Sequence, residues 1–159
     1  MDAEPMHADG RPKGAPVTLD IKVRFSDLDA SGHLNNANIV KYIEEARILY
    51  YEAVTGMAIP ADLDHWVLAE ILVSYRAVGR FGDDIRITIS VPWIKRSSAG
   101  WVFTLTRLGD GALIAEGSGV HVHVDQATGK GSEIPAHWRQ AILDHEGIES
   151  GAPAGASAV

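Results

Sequence analysis

Cysteine is absent from all 159 residues. Without it there is no disulfide framework, no thiolate nucleophile and no thiolate metal site, so the chemistry of the chain must run on oxygen and nitrogen. Long apolar runs are missing as well: none approaches the ~18 residues that cross a bilayer, which excludes a membrane-spanning helix. Positive charge is scarce, with 14 Lys and Arg against 21 Asp and Glu and a formal net charge of -7. That balance opposes nonspecific attraction to nucleic acid or to an anionic membrane surface, and any anionic ligand must be held by a local basic patch. The opening stretch MDAEPMHADGRPKGAP carries acids, prolines and glycines where a secretory leader needs a basic start and an apolar stretch. Export is not expected; a cytoplasmic location is.

An apolar fraction of 46% with 22% charged residues is ordinary for a globular protein, and the length suits one domain with a single core. Residues 1–16 and the tail 147–159, rich in Pro, Gly, Ala and Ser, lack the apolar content that offsets ordering entropy. Both are expected to be mobile extensions of a domain spanning 17–146.

Residues 17–25 (VTLDIKVRF) alternate apolar and polar, the period of a half-buried strand. In 38–54, Ile39, Ile43, Ala46, Tyr50 and Ala53 recur at three- and four-residue spacing and form one apolar helical face, with Thr55-Gly56 as a stop. Four further strand-like runs follow, at 66–76, 85–96, 101–108 and 113–125, separated by the turn segments VGRFGDD, SSAG and GDG. A short last helix is expected over 135–145, with Pro135 in its first turn. Strand, helix, then four strands predicts an α+β domain with one long helix against an antiparallel sheet.

The segment RFSDLDASGHLNN, residues 24–36, sits between the first strand and the helix and concentrates carboxylates, a hydroxyl, an imidazole and amides where the chain must turn. Read plainly, Asp27 and Asp29 are turn residues, His33 is a surface group and Asn35 or Asn36 caps the helix. A calcium loop is a second reading, since Asp27, Asp29, Ser31 and Gly32 fall at the right spacing. Asn38 then stands where a bidentate Glu is needed, and a strand precedes the loop where a helix should. A third reading is catalytic. A carboxylate there can serve as nucleophile or general base, and a helix start offers free N–H groups and a positive dipole end.

The run DLDASGHLNNANIVKYIEEAR, residues 27–47, resembles the signature of hotdog-fold acyl-CoA thioesterases of the 4-hydroxybenzoyl-CoA thioesterase type. It is also similar to the Asp-x-Asn-x-His-x-Asn-Asn motif of plant acyl-carrier-protein thioesterases. YRAVGRFGD, residues 75–83, resembles that family's turn between its second and third strands, and 122–125 its last-strand ending. The resemblance implies an α+β hotdog fold, with one long central helix wrapped by a five-stranded antiparallel sheet. It implies an enzyme that hydrolyses an acyl-CoA or acyl-carrier-protein thioester with no cofactor beyond the coenzyme A of its substrate, assembled as a homodimer or homotetramer with sites shared between subunits. By the same resemblance Asp29 is the catalytic carboxylate, acting as nucleophile or general base. His33 matches the histidine of the plant-type motif, and Ser31 stands where that motif has asparagine. Two alternatives stay open: a hotdog dehydratase or hydratase using His33 with a carboxylate, and a noncatalytic acyl-CoA-binding protein. The second would ordinarily bring a DNA-reading segment, and no basic helix-turn-helix pattern is present.

Several other residues are candidates. Asn35 and Asn36 are expected at the substrate, and Arg76, Arg80, Lys95 and Arg96 near the strand turns form a basic group suited to coenzyme A phosphates. Glu70, in an otherwise apolar strand, is either a second acid or a rim carboxylate. His121, His123 and Asp125 alternate along the last strand and are sensible metal ligands by type. Adjacent same-face positions on one strand rarely converge on one ion, so exposed strand residues and no metal are expected. Trp66, Trp93, Trp101 and Phe103 are read as core or interface aromatics, with lining of an acyl pocket as a lesser role.

Overall fold

A computed structural model describes residues 14–56 and 65–148. Most of the two expected extensions, 1–16 and 147–159, therefore lies outside the described residues. Gly14 is described, and its N–H donates to the carbonyl of His145.

The alternating segments form β1 (Val17–Lys22), β2 (Trp66–Tyr75), β3 (Asp84–Ile94), β4 (Ser98–Arg107) and β5 (Leu113–His123), with helices α1 (Asn36–Thr55) and α2 (Ala136–Glu146). The strands make one five-stranded sheet in the order β1-β3-β4-β5-β2, every neighbouring pair antiparallel. Strand pairing aligns Ile87 with Leu19 and Leu105, and Ile89 with Val17 and Phe103, so the period-2 apolar residues stack into continuous rows. Those rows face the helices and make the core. Register shifts between Leu68 and Glu70, Ser90 and Trp93, and Leu105 and Thr106 mark bulges, which bend strands and let the sheet curve. This is the α+β architecture that the sequence implies, one long helix against a five-stranded antiparallel sheet, with α2 added at the end.

Helix α1 starts where Asn35 Oδ1 accepts the Ala37 N–H at 2.9 Å. It stops at Gly56, whose φ of 70° allows a left-handed cap with its N–H on the Glu52 carbonyl. It buries Ile39, Tyr42, Ile43, Ala46, Tyr50 and Tyr51. Tyr42 and Tyr51 join the expected stripe because each hydroxyl finds a partner inside, whereas Ala53 is only partly buried. Helix α2 is fixed by Glu146, whose Oε1 accepts the Tyr50 hydroxyl at 2.7 Å and the Val91 N–H at 2.8 Å, joining α2 to α1 and β3. Burial raises the Glu146 carboxyl above its ordinary value, against the two hydrogen bonds.

Beneath the helices, Gly119 makes room for the ring of Trp101 on the paired strand: a Cβ there would stand 2.2 Å from Trp101 Cζ2. The Trp101 ring is buried and cannot swing away. Gly119→Ala is therefore expected to destabilise the fold by about 1–3 kcal/mol through overpacking, read as a lower urea midpoint at unchanged slope. A midpoint equal to wild type would show that the ring has room to move.

Candidate active site

The loop between β1 and α1 is held at two points. Asp27 Oδ2 accepts the Tyr42 hydroxyl at 2.6 Å and the Arg24 N–H at 2.9 Å. Its carbonyl accepts the Asn35 N–H at 2.9 Å and Asn38 Nδ2 at 3.0 Å. Desolvation opposes ionisation of this carboxyl, but the bonds from Tyr42 and Arg24 prevail and leave its pKa below the ordinary value. Asp27 is thus committed to anchoring the loop on the helix, and Asn38, where a calcium loop would need Glu, serves the same anchor.

Asp29 lies beyond that anchor in a tight loop closed by the Leu28–Leu34 bridge. Its Oδ1 accepts the N–H groups of Ser31 at 2.8 Å and His33 at 3.1 Å, while its own N–H donates to the His33 carbonyl at 2.8 Å. Gly32, at φ 74°, supplies the left-handed position the loop requires. The His33 N–H holds the Asp29 pKa below its ordinary value against desolvation, with the Ser31 N–H adding to it. Asp29 is exposed and ionised at neutral pH. Both bonds fall on Oδ1, leaving Oδ2 without a donor among the described residues.

Leu34 is buried, and its N–H donates to the Gly79 carbonyl at 2.8 Å, which sews this loop to the β2–β3 connection. Between the two segments lies a cavity of about 440 Å³ with Asp29, His33 and Asn36 on one side and Tyr75, Arg76 and Gly79 on the other. The Ala37 N–H is taken by the Asn35 side chain, and those of Asn38 and Ile39 by the Asn35 carbonyl. Among the described residues nothing accepts from the Asn36 N–H. A carboxylate and a free N–H at a helix start thus border one cavity, the pairing that acyl transfer needs.

The remaining candidates divide. Asn36 lines the cavity, Asn35 caps α1, and Ser31 is exposed at the loop tip with its N–H on Asp29. Arg76 lines the cavity while its Nε donates to Glu116 at 2.9 Å. Arg80 sits on the β2–β3 turn beside it. Lys95 and Arg96 follow the other end of β3, and the eleven residues of that strand put roughly 33 Å between the two ends. Within one chain the four cations therefore form two groups, not the single patch their turn positions suggested. Lys95 instead lies over the Trp93 ring, 5.2 Å from its centroid. Glu70 is exposed at the β2 bulge, outside the cavity.

The histidines of β5 correct a second expectation. His121 and His123 are buried, 2% and 7% exposed, because their side of β5 faces the helices, opposite Leu68 and Trp66 of β2. His121 Nδ1 meets the Tyr51 hydroxyl, and His123 Nδ1 lies 2.8 Å from Ser132 Oγ. Burial, then the charge of Arg47, pushes the His121 pKa down to about 3, so the ring is neutral in ordinary conditions. Asp125 turns away to cap its own loop through Thr128. Among the described residues no group of three or more histidines and carboxylates is placed to hold a metal ion. No helix there is long and apolar enough to cross a membrane.

Tyr42 was not singled out from the sequence, although it lies at four-residue spacing from Ala46 and Tyr50 on the helical face; its partner Asp27 lies fifteen residues earlier, across a turn. Removing the hydroxyl should release the loop. Tyr42→Phe is expected to cost about 1.5–3 kcal/mol at neutral pH, the range for a hydrogen bond to a charged group. Because the Asp27 pKa is lowered on folding, its contribution is complete above the unfolded carboxylate value and lost as pH falls through the folded one. Urea melts of both proteins at neutral and strongly acidic pH should show the difference narrowing in acid; a constant difference would sink the linkage.

Comparison with known proteins bears on the whole domain. The sequence profile of the thioesterase-like superfamily matches residues 23–142. A thioesterase from Thermus thermophilus, solved with coenzyme A and zinc, is 31% identical over 86% of this chain and 98% of its own, with a TM-score of 0.75. A thioesterase-superfamily protein from Jannaschia is 29% identical over 82% of this chain and 83% of its own, TM-score 0.70. The 1,4-dihydroxy-2-naphthoyl-CoA thioesterase of Synechocystis, at 16% identity over 81% of this chain and 96% of its own, shares the fold with a TM-score of 0.73. A search of curated proteins returned no match. With the profile covering most of the chain and the strand order, long helix and loop all in place, the chain belongs to the thioesterase-like superfamily, as a thioester hydrolase of hotdog fold.

Proposed function

We propose that this enzyme hydrolyses acyl-CoA thioesters in the cytoplasm, with Asp29 as the attacking or base-acting carboxylate and no metal in the reaction. The observation that carries this reading is the shared cavity of Asp29 and the Asn36 N–H. The thioester carbonyl oxygen would point at that N–H, where the helix dipole favours the negative charge that develops during attack. Asp29 Oδ2 would then either attack the carbonyl carbon to give a mixed anhydride or take a proton from an attacking water. His33, on the same wall, would orient that water or the substrate; Ser31 acts only by holding Asp29 through its N–H. Arg76, which lines the cavity, and Arg80, on the adjoining β2–β3 turn, would meet the phosphates of coenzyme A, with Lys95 and Arg96 reaching them only from a second subunit. Asn35 serves the substrate indirectly, by fixing the helix start.

Asp29→Asn keeps Oδ1 as acceptor for both N–H groups and removes the charge, so the fold should persist. Turnover should fall by about two orders of magnitude or more. Asp27→Asn is expected to lose mainly stability, since its carboxylate bonds Tyr42. Because the Asp29 pKa is lowered, the acid limb of kcat/KM should lie below the ordinary aspartate value of about 3.9. Release of free thiol from acyl-CoA, followed across pH with a melting curve beside it, decides the matter. An Asp29→Asn enzyme of full activity would remove the assignment.

We also infer a homodimer at least. Strand β2 is a ten-residue sheet edge carrying exposed Val67 and Leu72 on its face away from the helices, an apolar pairing surface that a lone subunit would leave in water. Sedimentation at micromolar concentration should find a dimer or tetramer, and Leu72→Lys should shift it toward monomer with loss of activity. A wild-type protein that sediments only as monomer contradicts the shared site.

A further inference from the structure

The cavity beside Asp29 lies at the first turn of α1. Residues 36, 39, 40, 43, 44 and 47 share one face of the helix by their three- and one-residue steps. The bulge between Leu68 and Glu70 keeps Leu68 on the same side of β2 as Ile71 and Tyr75, toward that helix. Tyr75 and Ile39 border the Asp29 end, and Ile71, Leu68, Val40 and Ile43 border a second pocket of about 50 Å³ further along. From Asn36 to Arg47 the helix rises roughly 16 Å. The walls between the two ends are apolar.

The far end is not. Arg47 and Trp101 close it, with the guanidinium 6.0 Å from the Trp101 ring centroid. The Arg47 side chain is 13% exposed and Trp101 is 2% exposed. Arg47 Nε and Trp101 Nε1 are both buried without an acceptor among the described residues. Arg47 Nη2 reaches Glu44 at 3.2 Å, but that carboxylate is 59% exposed and leaves Nε unserved. Buried donors without acceptors are costly and rare, and two on residues lining one small pocket point to something that brings an acceptor in.

We propose that the trench between α1 and β2 receives the acyl group, and that Arg47 with Trp101 binds an oxygen acceptor carried at that group's far end. The favoured substrates are then thioesters whose acyl chain ends in a hydroxyl, keto or carboxylate oxygen. The specificity comes from an asymmetry: an acyl chain ending in a methyl would bury both donors unpaired, and a site built to hydrogen-bond an oxygen rejects an analogue that lacks it. A water could fill the same pocket, since its share of liquid volume is about 30 Å³; it would serve both substrate kinds and give no preference. The inference rests on reading Asp29 as the place of thioester attack.

The test uses coenzyme A thioesters matched in chain length, ending in methyl, hydroxyl or carboxylate. Wild-type enzyme is expected to favour an oxygen-ended member by about tenfold or more in kcat/KM, chiefly through KM, as the loss of one charge-assisted hydrogen bond predicts. Arg47→Met should bring that ratio to within about threefold of unity. Trp101→Phe, which keeps a ring and removes the N–H, should move it the same way by less and covers the case in which Arg47→Met fails to fold. The hydroxyl and carboxylate arms separate a neutral acceptor from an anion. A second arm needs no turnover: free hydroxy and dicarboxylic acids should raise the melting temperature of Asp29→Asn protein more than monocarboxylic acids do, and the difference should vanish when Arg47→Met is added. A wild-type ratio near unity, or a ratio that survives in folded Arg47→Met, overturns the inference. Full activity of Asp29→Asn with the ratio intact would instead remove the catalytic assignment and leave the acceptor site standing.

Discussion

The hydrogen bond from the Tyr42 hydroxyl to Asp27, at 2.6 Å, fixes where everything else in the site can stand. It ties the loop after β1 to the second turn of α1, and α1 is itself seated on the sheet by its buried face. Once Asp27 is held, its carbonyl takes the Asn35 N–H and the Asn38 side chain, which sets the helix start. Asp29, two residues on, is then carried to the cavity by a loop too short and too fully bonded to place it elsewhere. A carboxylate with a depressed pKa thus stands ionised beside an N–H that the cap leaves unused.

The two aspartates divide labour that their spacing alone would not assign. Asp27 gives its side chain to the fold; Asp29 gives one oxygen to its own turn and keeps the other. The same division runs through the aromatics. Trp101 fills the space left by Gly119 on the neighbouring strand, and with Arg47 it borders the pocket further along α1, its N–H without an acceptor among the described residues. One helix face therefore borders both the cavity at Asp29 and the pocket at Arg47, and α1 serves as core, cap and wall together.

The buried histidines belong to packing. His121 is stacked against Tyr51 and close to Trp66 and Trp101, neutral because burial and the nearby Arg47 both disfavour the imidazolium. Its neutrality leaves Arg47 as the charged group facing the trench beside Glu44. A protonated His121 there would add a second positive charge in a dry place and cost stability.

Much of this was legible in the residue order. Alternation at 17–25 and in the four later runs marked strands, the three- and four-residue recurrence of Ile39, Ile43, Ala46 and Tyr50 marked the helix, and Asn35 or Asn36 at its start and Gly56 at its end bounded it, because these are local preferences written into neighbouring residues. The motif from Asp27 to Asn36 marked the loop that brings Asp29, His33 and Asn36 to the cavity. What pairs with what across the chain was not legible. Tyr42 and Asp27 meet only after the chain turns; His121 and His123 look solvated in an alternating strand until the helices cover that face; and Arg76 and Lys95, alike in type and both near turns, fall at opposite ends of the sheet. Arg47 reads as an ordinary helical cation until the register of β2, β4 and β5 sets Trp101 beside it. Residue order determines periodicity, caps and turns through contacts a few residues long, whereas burial, partner and distance from the reacting carbonyl are properties of side chains brought together from remote positions, and only the folded sheet decides those.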